Sequence, residues 1–283
     1  MPSSTATVSQ LLDAAADRLK TISDTPRLDA ELLLEAATGL RRVQVRAHPE
    51  RQLNPEQTAA LEALLTRRCQ GEPVAYILGH WGFWSLDLTI TPAVLIPRPE
   101  TELLVELALT RIPNDATWRI ADLGTGSGAL ALAIASERPH CRVLAVDASA
   151  EALAVAEANG RTLGLTNVEF RHSEWFQDLT GERFELVVAN PPYVATDDPH
   201  LRQGDVAFEP RSALVAGSDG LDDIRHLTAA APAHLAAKGW LLLEHGWDQG
   251  RAVRRLLTAA GFTEVASHCD LGGRERATVG RRP

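Results

Sequence analysis

The stretch "ADLGTGSGALALAIA", residues 121–135, places three glycines between an apolar run and a segment rich in Ala and Leu. The run over residues 118–123 is typical of a buried strand, and the segment after the glycines is typical of a helix. Glycine lets the backbone turn tightly and approach a ligand closely, because it has no side chain. The stretch therefore predicts a strand, a close turn and a helix, the unit from which open α/β sheets are built.

Further strand-like and helix-like runs alternate along the rest of the chain. The strand-like runs cover residues 118–123, 141–147, 168–173, 184–190 and 239–246, and the helix-like runs cover residues 129–139, 150–164 and 221–239. This alternation predicts a doubly wound, Rossmann-like parallel sheet with helices on both faces. Residues 262–270 and 275–282 can add a hairpin at one edge.

The first part of the chain predicts a different architecture, a small bundle of short amphipathic helices over residues 1–75. Thr7 and Gln10 have the spacing of a capping box, and Asn54 with Gln57 repeats it. Residues 76–96 alternate and are rich in aromatics, which predicts a linking β-hairpin before a third domain at residues 97–283. The helical segment carries no catalytic constellation, so a structural role and a docking role are equally open.

Composition narrows the class of protein. The chain has 283 residues, a net charge of −9 and a pI near 5.5, so it lacks the basic total typical of nucleic-acid-binding proteins, although a local basic patch stays open. Cys69, Cys141 and Cys269 are far apart and form no CxxC pair, which argues against a metal site and a disulfide framework. No secretory signal or membrane-length apolar run occurs, so we expect a cytoplasmic protein, acting as a monomer, without a membrane partner.

The glycines alone do not decide the cofactor, because Gly124, Gly126 and Ala129 also fit the looser dinucleotide fingerprint. Asp122 precedes them at a strand end, where a carboxylate suits a cationic ligand better than a pyrophosphate. Asp147 ends the second strand, about 20 residues on, where an acid can bind ribose hydroxyls. Its alternative role is a helix N-cap, which Ser149 can fill itself. S-adenosylmethionine, with a ribose, a sulfonium and an amino acid moiety, is therefore the predicted cofactor.

The end of the third strand offers a wall for the adenine of that cofactor. Trp175 can stack on the base, and Glu174 can accept from its amino group, although Trp is as often plain core. The predicted cofactor-binding residues are Asp122, Gly124, Thr125, Gly126, Ser127, Gly128, Asp147, Trp175 and Asn190.

The sequence Asn190-Pro191-Pro192-Tyr193 closes the fourth strand, which lies beside the first in this topology and so faces the same crevice. The Asn190 side-chain oxygen and the Pro191 carbonyl can accept the two hydrogens of a planar nitrogen. The prolines stiffen the loop, and Tyr193 can pack on the planar group. Neutral acceptors are preferable to a carboxylate, because the charge of the sulfonium disperses as the methyl leaves. The pattern predicts methyl transfer to an amide or an aromatic amine, with Asn190, Pro191 and Tyr193 as catalytic residues.

Several motifs together resemble the bacterial peptide chain release factor glutamine methyltransferases. They are "FWSLDLTITPAVLIPRPETELLVE", "DLGTGSGALALA", "AVDASAEALAVAEAN", "SEWF", "NPPY", "DPHLRQGDVAFEPRSALVAGSDGL" and "LLLEHGWDQG". The resemblance implies a seven-stranded methyltransferase sheet and transfer of methyl from S-adenosylmethionine to the side-chain amide of the glutamine in the Gly-Gly-Gln motif of class I release factors.

For individual residues, the resemblance implies that residues 190–193 hold the substrate glutamine and that the N-terminal helices dock the release factor. Arg98, in the "LIPRPETE" loop, is a further candidate for substrate binding or a surface residue, and Thr101 belongs to the same loop without a clear role. Glu174 departs from the Asp common in the family, which leaves its contact with adenine open.

Three rival functions remain. An adenine amino-methyltransferase would use the same Asn-Pro-Pro-Tyr chemistry on nucleic acid, and a related enzyme would methylate a glutamine of a ribosomal protein. A nicotinamide-dependent oxidoreductase would use the glycine turn but leaves Asn-Pro-Pro-Tyr unexplained.

Overall fold

The computed structural model describes residues 6–283, and these form two compact units. One unit contains the described residues up to Gly79 together with Pro199–Phe208. The other contains His80–Asp198 and Glu209–Pro283. Within residues 6–283, no helix combines the length and the apolar character that a membrane-spanning segment needs.

The first unit is helical, as the sequence predicts. Its helices are α1 (Val8–Leu19), α2 (Pro26–Thr38), α3 (Arg42–Ala47), α4 (Pro55–Cys69) and α5 (Val74–Leu78). Capping boxes begin α1 at Thr7 and α4 at Asn54, where each side chain accepts a hydrogen bond from a backbone N–H of the first turn. Leu12, Leu19 and Leu33 are fully buried between the helices. The short helices are therefore held by a shared apolar core.

A buried arginine joins the segment Pro199–Phe208 to these helices. The side chain of Arg68 is only 4% exposed, and it donates to Asp29 Oδ2 and to Asp205 Oδ1, each at 2.8 Å. It also donates to the backbone carbonyls of Gly71 and Glu72. A buried guanidinium needs such partners, because removing one partner leaves an uncompensated charge. This ion network explains why residues remote in sequence belong to the helical unit.

The linking hairpin is shorter than the predicted span of residues 76–96. Residues up to Leu78 belong to α5, which follows Pro73 and ends at Gly79 in the left-handed region, with φ of 76°. The hairpin strands are β1 (His80–Phe83) and β2 (Leu86–Thr89), paired antiparallel. The proline and the glycine fix a helical turn over residues whose apolar character resembles a strand.

The second unit contains a seven-stranded sheet in the order β5-β4-β3-β6-β7-β9-β8. The strands are β3 (Arg119–Leu123), β4 (Arg142–Asp147), β5 (Val168–His172), β6 (Phe184–Ala189), β7 (Leu235–Glu244), β8 (Thr263–Cys269) and β9 (Glu275–Arg281). The helices of this unit are α6 (Glu102–Leu109), α7 (Ala129–Glu137), α8 (Ala150–Thr162), α9 (Asp222–His234) and α10 (Gly250–Ala259). The first five strands of the order pair in parallel, and β8 and β9 add the predicted antiparallel hairpin at one edge.

The order of the strands reverses between β3 and β6. From β3 the chain proceeds to β4 and β5 on one side, and from β6 it proceeds to β7 on the other. Because parallel crossovers are right-handed, the connecting helices of the two halves cover opposite faces of the sheet. Residues 186–189 of β6 are fully buried, as expected for a central parallel strand. Ligands of such sheets bind at the carboxyl ends of the strands beside this reversal.

Candidate active site

A close glycine turn joins β3 to α7. The backbone N–H groups of Gly124 and Thr125 both donate to the Val146 carbonyl at 2.9 Å, so the turn folds over the end of β4. Gly124 and Gly128 have φ of 74° and 87°, in the left-handed region that favours glycine. A Cβ on Gly128 would lie 2.8 Å from Leu132 Cδ1. The turn therefore requires glycine for its conformation and for its close packing.

Asp147, the last residue of β4, faces this turn. Its Oδ2 accepts from the N–H of Gly126 at 2.9 Å, and its Oδ1 accepts from the N–H of Ser149 at 2.8 Å. Ser149 caps α8 with its own hydroxyl, which accepts from the N–H of Ala152. Burial raises the pKa of Asp147, and these backbone hydrogen bonds oppose the rise. The helix-cap role thus belongs to Ser149, and Asp147 stays available at the cavity; its contact with a ribose stays a prediction.

A cavity of about 420 Å³ opens beside the turn, at the carboxyl ends of β3, β4 and β6. The predicted site residues that line it are Gly124, Thr125, Gly126, Ser127, Asp147, Glu174, Trp175, Asn190 and Pro192. Of the charged side chains on its described wall, Asp147, Glu174 and Asp223 are acidic, and no Lys, Arg or His is among them. Such a wall favours a cationic ligand and disfavours a phosphate group.

Trp175 forms part of this wall in a strained conformation. Its φ is 52°, a region that non-glycine residues rarely adopt. Its ring lies close over Gly124, where a Cβ would come within 3.2 Å of it. Asp223 lines the cavity as well; burial raises the pKa of its carboxyl, and the Trp175 side chain opposes that rise. Glu174 also lines the cavity, and its Oε2 accepts from Gln177 at 3.1 Å. Contacts of both residues with adenine stay predictions.

Asn190 follows β6 directly and lies on the cavity wall. Its Nδ2 donates to the hydroxyl of Thr101 at 3.2 Å. Thr101 also lines the cavity, although its residue surface is only 4% exposed. Since the amide nitrogen is bound to Thr101, the Oδ1 atom is the group with which Asn190 can accept a hydrogen bond from a ligand.

The other residues of the Asn-Pro-Pro-Tyr sequence take different positions. Pro192 lines the cavity, whereas Pro191 and Tyr193 are not among the residues that do so. The Tyr193 hydroxyl donates to Glu244 Oε1 at 3.3 Å, and the Tyr193 carbonyl accepts from Gln249 at 3.0 Å. Burial raises the pKa of the Tyr193 phenol. Tyr193 thus anchors the loop on the side away from the cavity, and the roles of the Pro191 carbonyl and the Tyr193 ring stay predictions.

Arg98, a candidate for substrate binding, makes an ion pair with Glu209. The side chain of Glu209 is fully buried, and its Oε1 also accepts from the N–H of Ile96 at 3.2 Å. These contacts join the loop at residues 95–101 to the loop at residues 209–213, and both loops contribute to the cavity wall. Arg98 itself is not among the lining residues. In this structure it holds two loops of the site together.

Comparison with known proteins decides the family. A family model described as the PrmC N-terminal domain matches residues 10–79, and one described as the methyltransferase small domain matches residues 100–207. The release factor glutamine methyltransferase of Xylella fastidiosa strain Temecula1 is 53% identical over 273 residues, with 96% of this chain and 97% of that protein covered. Those of Pseudomonas aeruginosa and Escherichia coli K12 are 59% and 51% identical over 259 residues, with 92% of this chain and 94% and 93% of those proteins covered.

The chain belongs to the release factor glutamine methyltransferase family. The resemblance that the sequence motifs suggested is thereby confirmed. Solved structures of lower identity show the same fold. A methyltransferase from Pyrococcus furiosus is 16% identical with a TM-score of 0.54, and the match covers 77% of this chain and 96% of that chain. The 16S rRNA N2 G1207 methyltransferase of T. thermophilus, solved with AdoMet and guanosine, is 18% identical with a TM-score of 0.54. The match covers 72% of this chain and 50% of that chain.

In this member of the family, Asp122 lies behind the cavity wall. It is fully buried and is not among the lining residues. Its Oδ2 accepts from the Thr125 hydroxyl at 2.6 Å and from the N–H of Ala131 at 3.1 Å. It thus does for α7 what an N-cap side chain normally does, because Gly128 at the N-cap has none. Burial raises the pKa of Asp122 to about 7. Its predicted contact with the cofactor would require a change in this arrangement.

Two further acids carry no role in the sequence predictions: Asp223 lines the cavity, and Glu244 contacts the Tyr193 hydroxyl. Asp223 lies in the first turn of α9, where acids are common for reasons of helix stability, so the sequence gives no specific signal for it. Glu244 ends β7 after an apolar run and is almost fully buried. A polar residue also ends the apolar runs at Asp122, Asp147 and Asn190. Glu244 shows the same pattern, an apolar run that ends at a polar residue, and this pattern could have identified it from the sequence.

Proposed function

We propose that this enzyme transfers a methyl group from S-adenosylmethionine to the side-chain amide nitrogen of a glutamine in a class I peptide chain release factor. The glutamine is the one in the Gly-Gly-Gln motif. In the reaction, the bond between sulfur and the methyl carbon breaks as a bond between nitrogen and that carbon forms. The amide nitrogen then loses one proton, and the products are the methylated glutamine and S-adenosylhomocysteine.

The observation that carries the proposal is the composition of the cavity wall. Asn190 and Pro192 lie on the same wall as the glycine turn and Asp147. The charged groups of the described wall are carboxylates, which suits the sulfonium and ammonium groups of S-adenosylmethionine. A pyrophosphate would find no positively charged side chain on this described wall to balance its own negative charge. The wall therefore supports a methyl donor over a nicotinamide dinucleotide.

The chain's own residues can contribute orientation without a charged base. The amide nitrogen of a glutamine is a poor nucleophile, because its lone pair is delocalised. An acceptor such as Asn190 Oδ1 can bind one of its hydrogens and direct the lone pair toward the methyl group. Holding two reactants in this way supplies several kcal/mol of the barrier reduction, on the order of 7 or more in the best cases. Asn190 does not have to take up the proton that the nitrogen loses. Because its side chain is neutral, it does not stabilise the cationic cofactor more than the transition state.

The helical unit is the proposed docking site for the release factor. Its residues 10–79 match the PrmC N-terminal domain model, and the relatives that share this unit are named release factor glutamine methyltransferases. The segment Pro199–Phe208 is proposed to contribute to the same role, because it is part of the helical unit. We propose residues 97–283 as the methyltransferase domain.

The test is methyl transfer from radiolabelled S-adenosylmethionine to purified class I release factor. Label should enter the wild-type factor and be absent from a factor whose Gly-Gly-Gln glutamine is changed to alanine. Asn190→Ala should reduce kcat by at least about 100-fold while cofactor binding is largely kept, since orientation of the nitrogen is lost. Label in a ribosomal protein or in duplex DNA, with none in the release factor, would overturn the proposal.

A further inference from the structure

The side chain of Gln249 joins Tyr193 to two other loops outside the cavity. Gln249 directly precedes α10, and neither it nor Tyr193 is among the residues that line the cavity. Its Nε2 donates to the Tyr193 carbonyl at 3.0 Å and lies 3.3 Å from the carbonyls of Asp219 and Gly220. Its Oε1 accepts from the N–H of Gly246 at 2.9 Å. One amide group therefore connects Tyr193 to the loop before α9 and to the loop before α10.

The backbone partners of Gln249 fix which end of its amide faces Tyr193. A backbone carbonyl can only accept a hydrogen bond, and a backbone N–H can only donate one. Three carbonyls lie at the Nε2 end and one N–H lies at the Oε1 end, so the reversed amide would lose these contacts. Both ends of the Gln249 side chain are thus held by the backbone, independently of the protonation of any neighbouring group.

Gly220 brings the loop before α9 into close contact with the same carbonyl. Its φ is 72°, and a Cβ at this position would lie 2.2 Å from the Tyr193 oxygen and 2.9 Å from Gln249 Nε2. A side chain does not fit there, so the close approach requires glycine. Val194, the next residue along the chain, donates its N–H to the Leu214 carbonyl at 2.8 Å. The backbone just after the two prolines is therefore held from several sides.

The fixed backbone at Tyr193 affects Asn190 through the two prolines. At the other end of this short segment, Asn190 directly follows β6, a central strand of the sheet. Between these two fixed ends, Pro191 and Pro192 each confine φ, so few rearrangements are open to the segment. A displacement of the Tyr193 carbonyl would consequently move the Pro191 carbonyl and the Asn190 side chain, the two acceptors predicted for the substrate nitrogen.

We propose that Gln249 is a positioning residue for methyl transfer. By holding the Tyr193 carbonyl, it keeps the Asn190 side chain and the Pro191 carbonyl where they bind the substrate glutamine. The inference rests on the proposed function, because it concerns how these acceptors meet the substrate. Gln249 itself contacts neither substrate nor cofactor. The cofactor contacts predicted at the glycine turn and at Asp147 lie on β3 and β4, and they do not depend on Gln249.

The kinetic test separates the two ends of the Gln249 amide. Gln249→Glu keeps an oxygen for the Gly246 N–H but places a second oxygen, which cannot donate, against three carbonyls. Its kcat should fall by roughly tenfold or more, with the KM for S-adenosylmethionine changed by less than about threefold, because only the acceptors for the substrate move. Gln249→Met, which removes both ends, should lose as much.

Two results of this test would overturn the proposal. One is a kcat for Gln249→Glu within about twofold of the wild-type value. The other is a loss of kcat in Gln249→Met alone, since the amide would then serve only to hold Gly246 at the start of α10.

A matched control is Asn167→Asp. The Nδ2 atom of Asn167 also donates to three backbone carbonyls, those of Ala135, Arg138 and Cys141, at 3.1, 3.3 and 3.2 Å. Both Asn167 and Gln249 are partly buried, but Asn167 directly precedes β5, at the edge of the parallel sheet opposite the cavity. This variant makes the same chemical change and should keep kcat within about twofold of the wild-type value. Equal losses of kcat in Asn167→Asp and Gln249→Glu would refute the positioning role, since a general loss of stability would account for both.

A second measurement needs no substrate. The chain contains two tyrosines, Tyr76 and Tyr193, so protein labelled with fluorotyrosine gives two fluorine signals. The Tyr193 signal, identified by its loss in Tyr193→Phe, should shift in Gln249→Glu and stay in place in Asn167→Asp. An unshifted Tyr193 signal in Gln249→Glu contradicts the inference. A shifted signal, together with no methylation of release factor by the wild-type enzyme, would instead refute the proposed function and leave the contact between Gln249 and the Tyr193 backbone supported.

Discussion

Replacing Asp122 by asparagine should make the protein more stable than the wild type as the pH rises. The carboxyl is fully buried, and burial raises its pKa from an ordinary value of 3.8 to about 7. Its Oδ1 has no hydrogen-bond partner in the described structure. The asparagine oxygen can take over the contacts of Oδ2 with Thr125 and Ala131, so the variant resembles the protonated wild type at every pH.

The magnitude follows from proton linkage. Between pH 3.8 and about pH 7 the folded protein keeps a proton on Asp122 that the unfolded chain has lost. The contribution of Asp122 to stability is therefore fully present below pH 3.8 and is lost as the pH rises toward 7. Each pH unit in this interval costs up to about 1.4 kcal/mol, and the slope flattens near pH 7. Between pH 5 and pH 8 the wild type should lose about 2 to 3 kcal/mol relative to Asp122→Asn.

The assay is urea unfolding of both proteins at four pH values from 5 to 8, without cofactor. Only the difference in the free energy of unfolding between the two proteins is used. Glu244 is also buried, and burial raises its pKa to about 7, but it titrates in both proteins, so its contribution cancels in the difference. A difference that is constant from pH 5 to pH 8, or one that favours the wild type more as the pH rises, would refute the reasoning. Such a result would mean that Asp122 is ionised in the folded protein throughout.

Two further changes test the cofactor turn. Asp147→Ala should weaken the binding of S-adenosylmethionine by about 1 to 3 kcal/mol, the scale of a lost hydrogen bond to a charged group, and calorimetry that finds the same Kd would contradict a ribose contact. Gly128→Ala should cost at least about 2 kcal/mol of stability, because φ is positive and the new Cβ would lie 2.8 Å from Leu132 Cδ1. Gly261→Ala is the control, since φ there is 86° but no atom lies within 4 Å of the new Cβ; equal losses in urea unfolding would show that packing at Gly128 is unimportant.

The sheet could be predicted from the sequence because each central strand is an apolar run with a local signal at its end. Residues 184–190 show this most clearly, since the run ends at Asn190 and the strand in the structure ends at Ala189. The hairpin boundary could not be predicted in the same way. Val74–Leu78 has the apolar character of a strand, and it forms a helix between Pro73 and Gly79. Local composition predicts poorly where a short apolar segment can form either a helix or a strand.

The site shows the same division between local and remote information. Asp122 and Asp147 both follow apolar residues near a strand end. Asp147 is the last residue of β4, whereas Asp122 is the last but one residue of β3, before Leu123. That single residue keeps Asp122 in the interior and brings Asp147 to the cavity. The attachment of Pro199–Phe208 to the helical unit depends on Arg68 and Asp205, which are 137 residues apart. A contact between residues so far apart in the chain cannot be predicted from the local sequence around either of them.

The contact between Asn190 and Thr101 explains how a neutral acceptor can be oriented beside a cationic cofactor. A carboxylate at this position would attract the sulfonium more strongly before the reaction than in the transition state, where its charge is already dispersing, and so would slow the transfer. An amide avoids that effect, but an amide can turn its nitrogen toward the substrate instead of its oxygen. The hydroxyl of Thr101 accepts from Asn190 Nδ2 at 3.2 Å, so the nitrogen end of the amide is engaged and the oxygen end is left for the substrate. The atom offered to the substrate is therefore neutral.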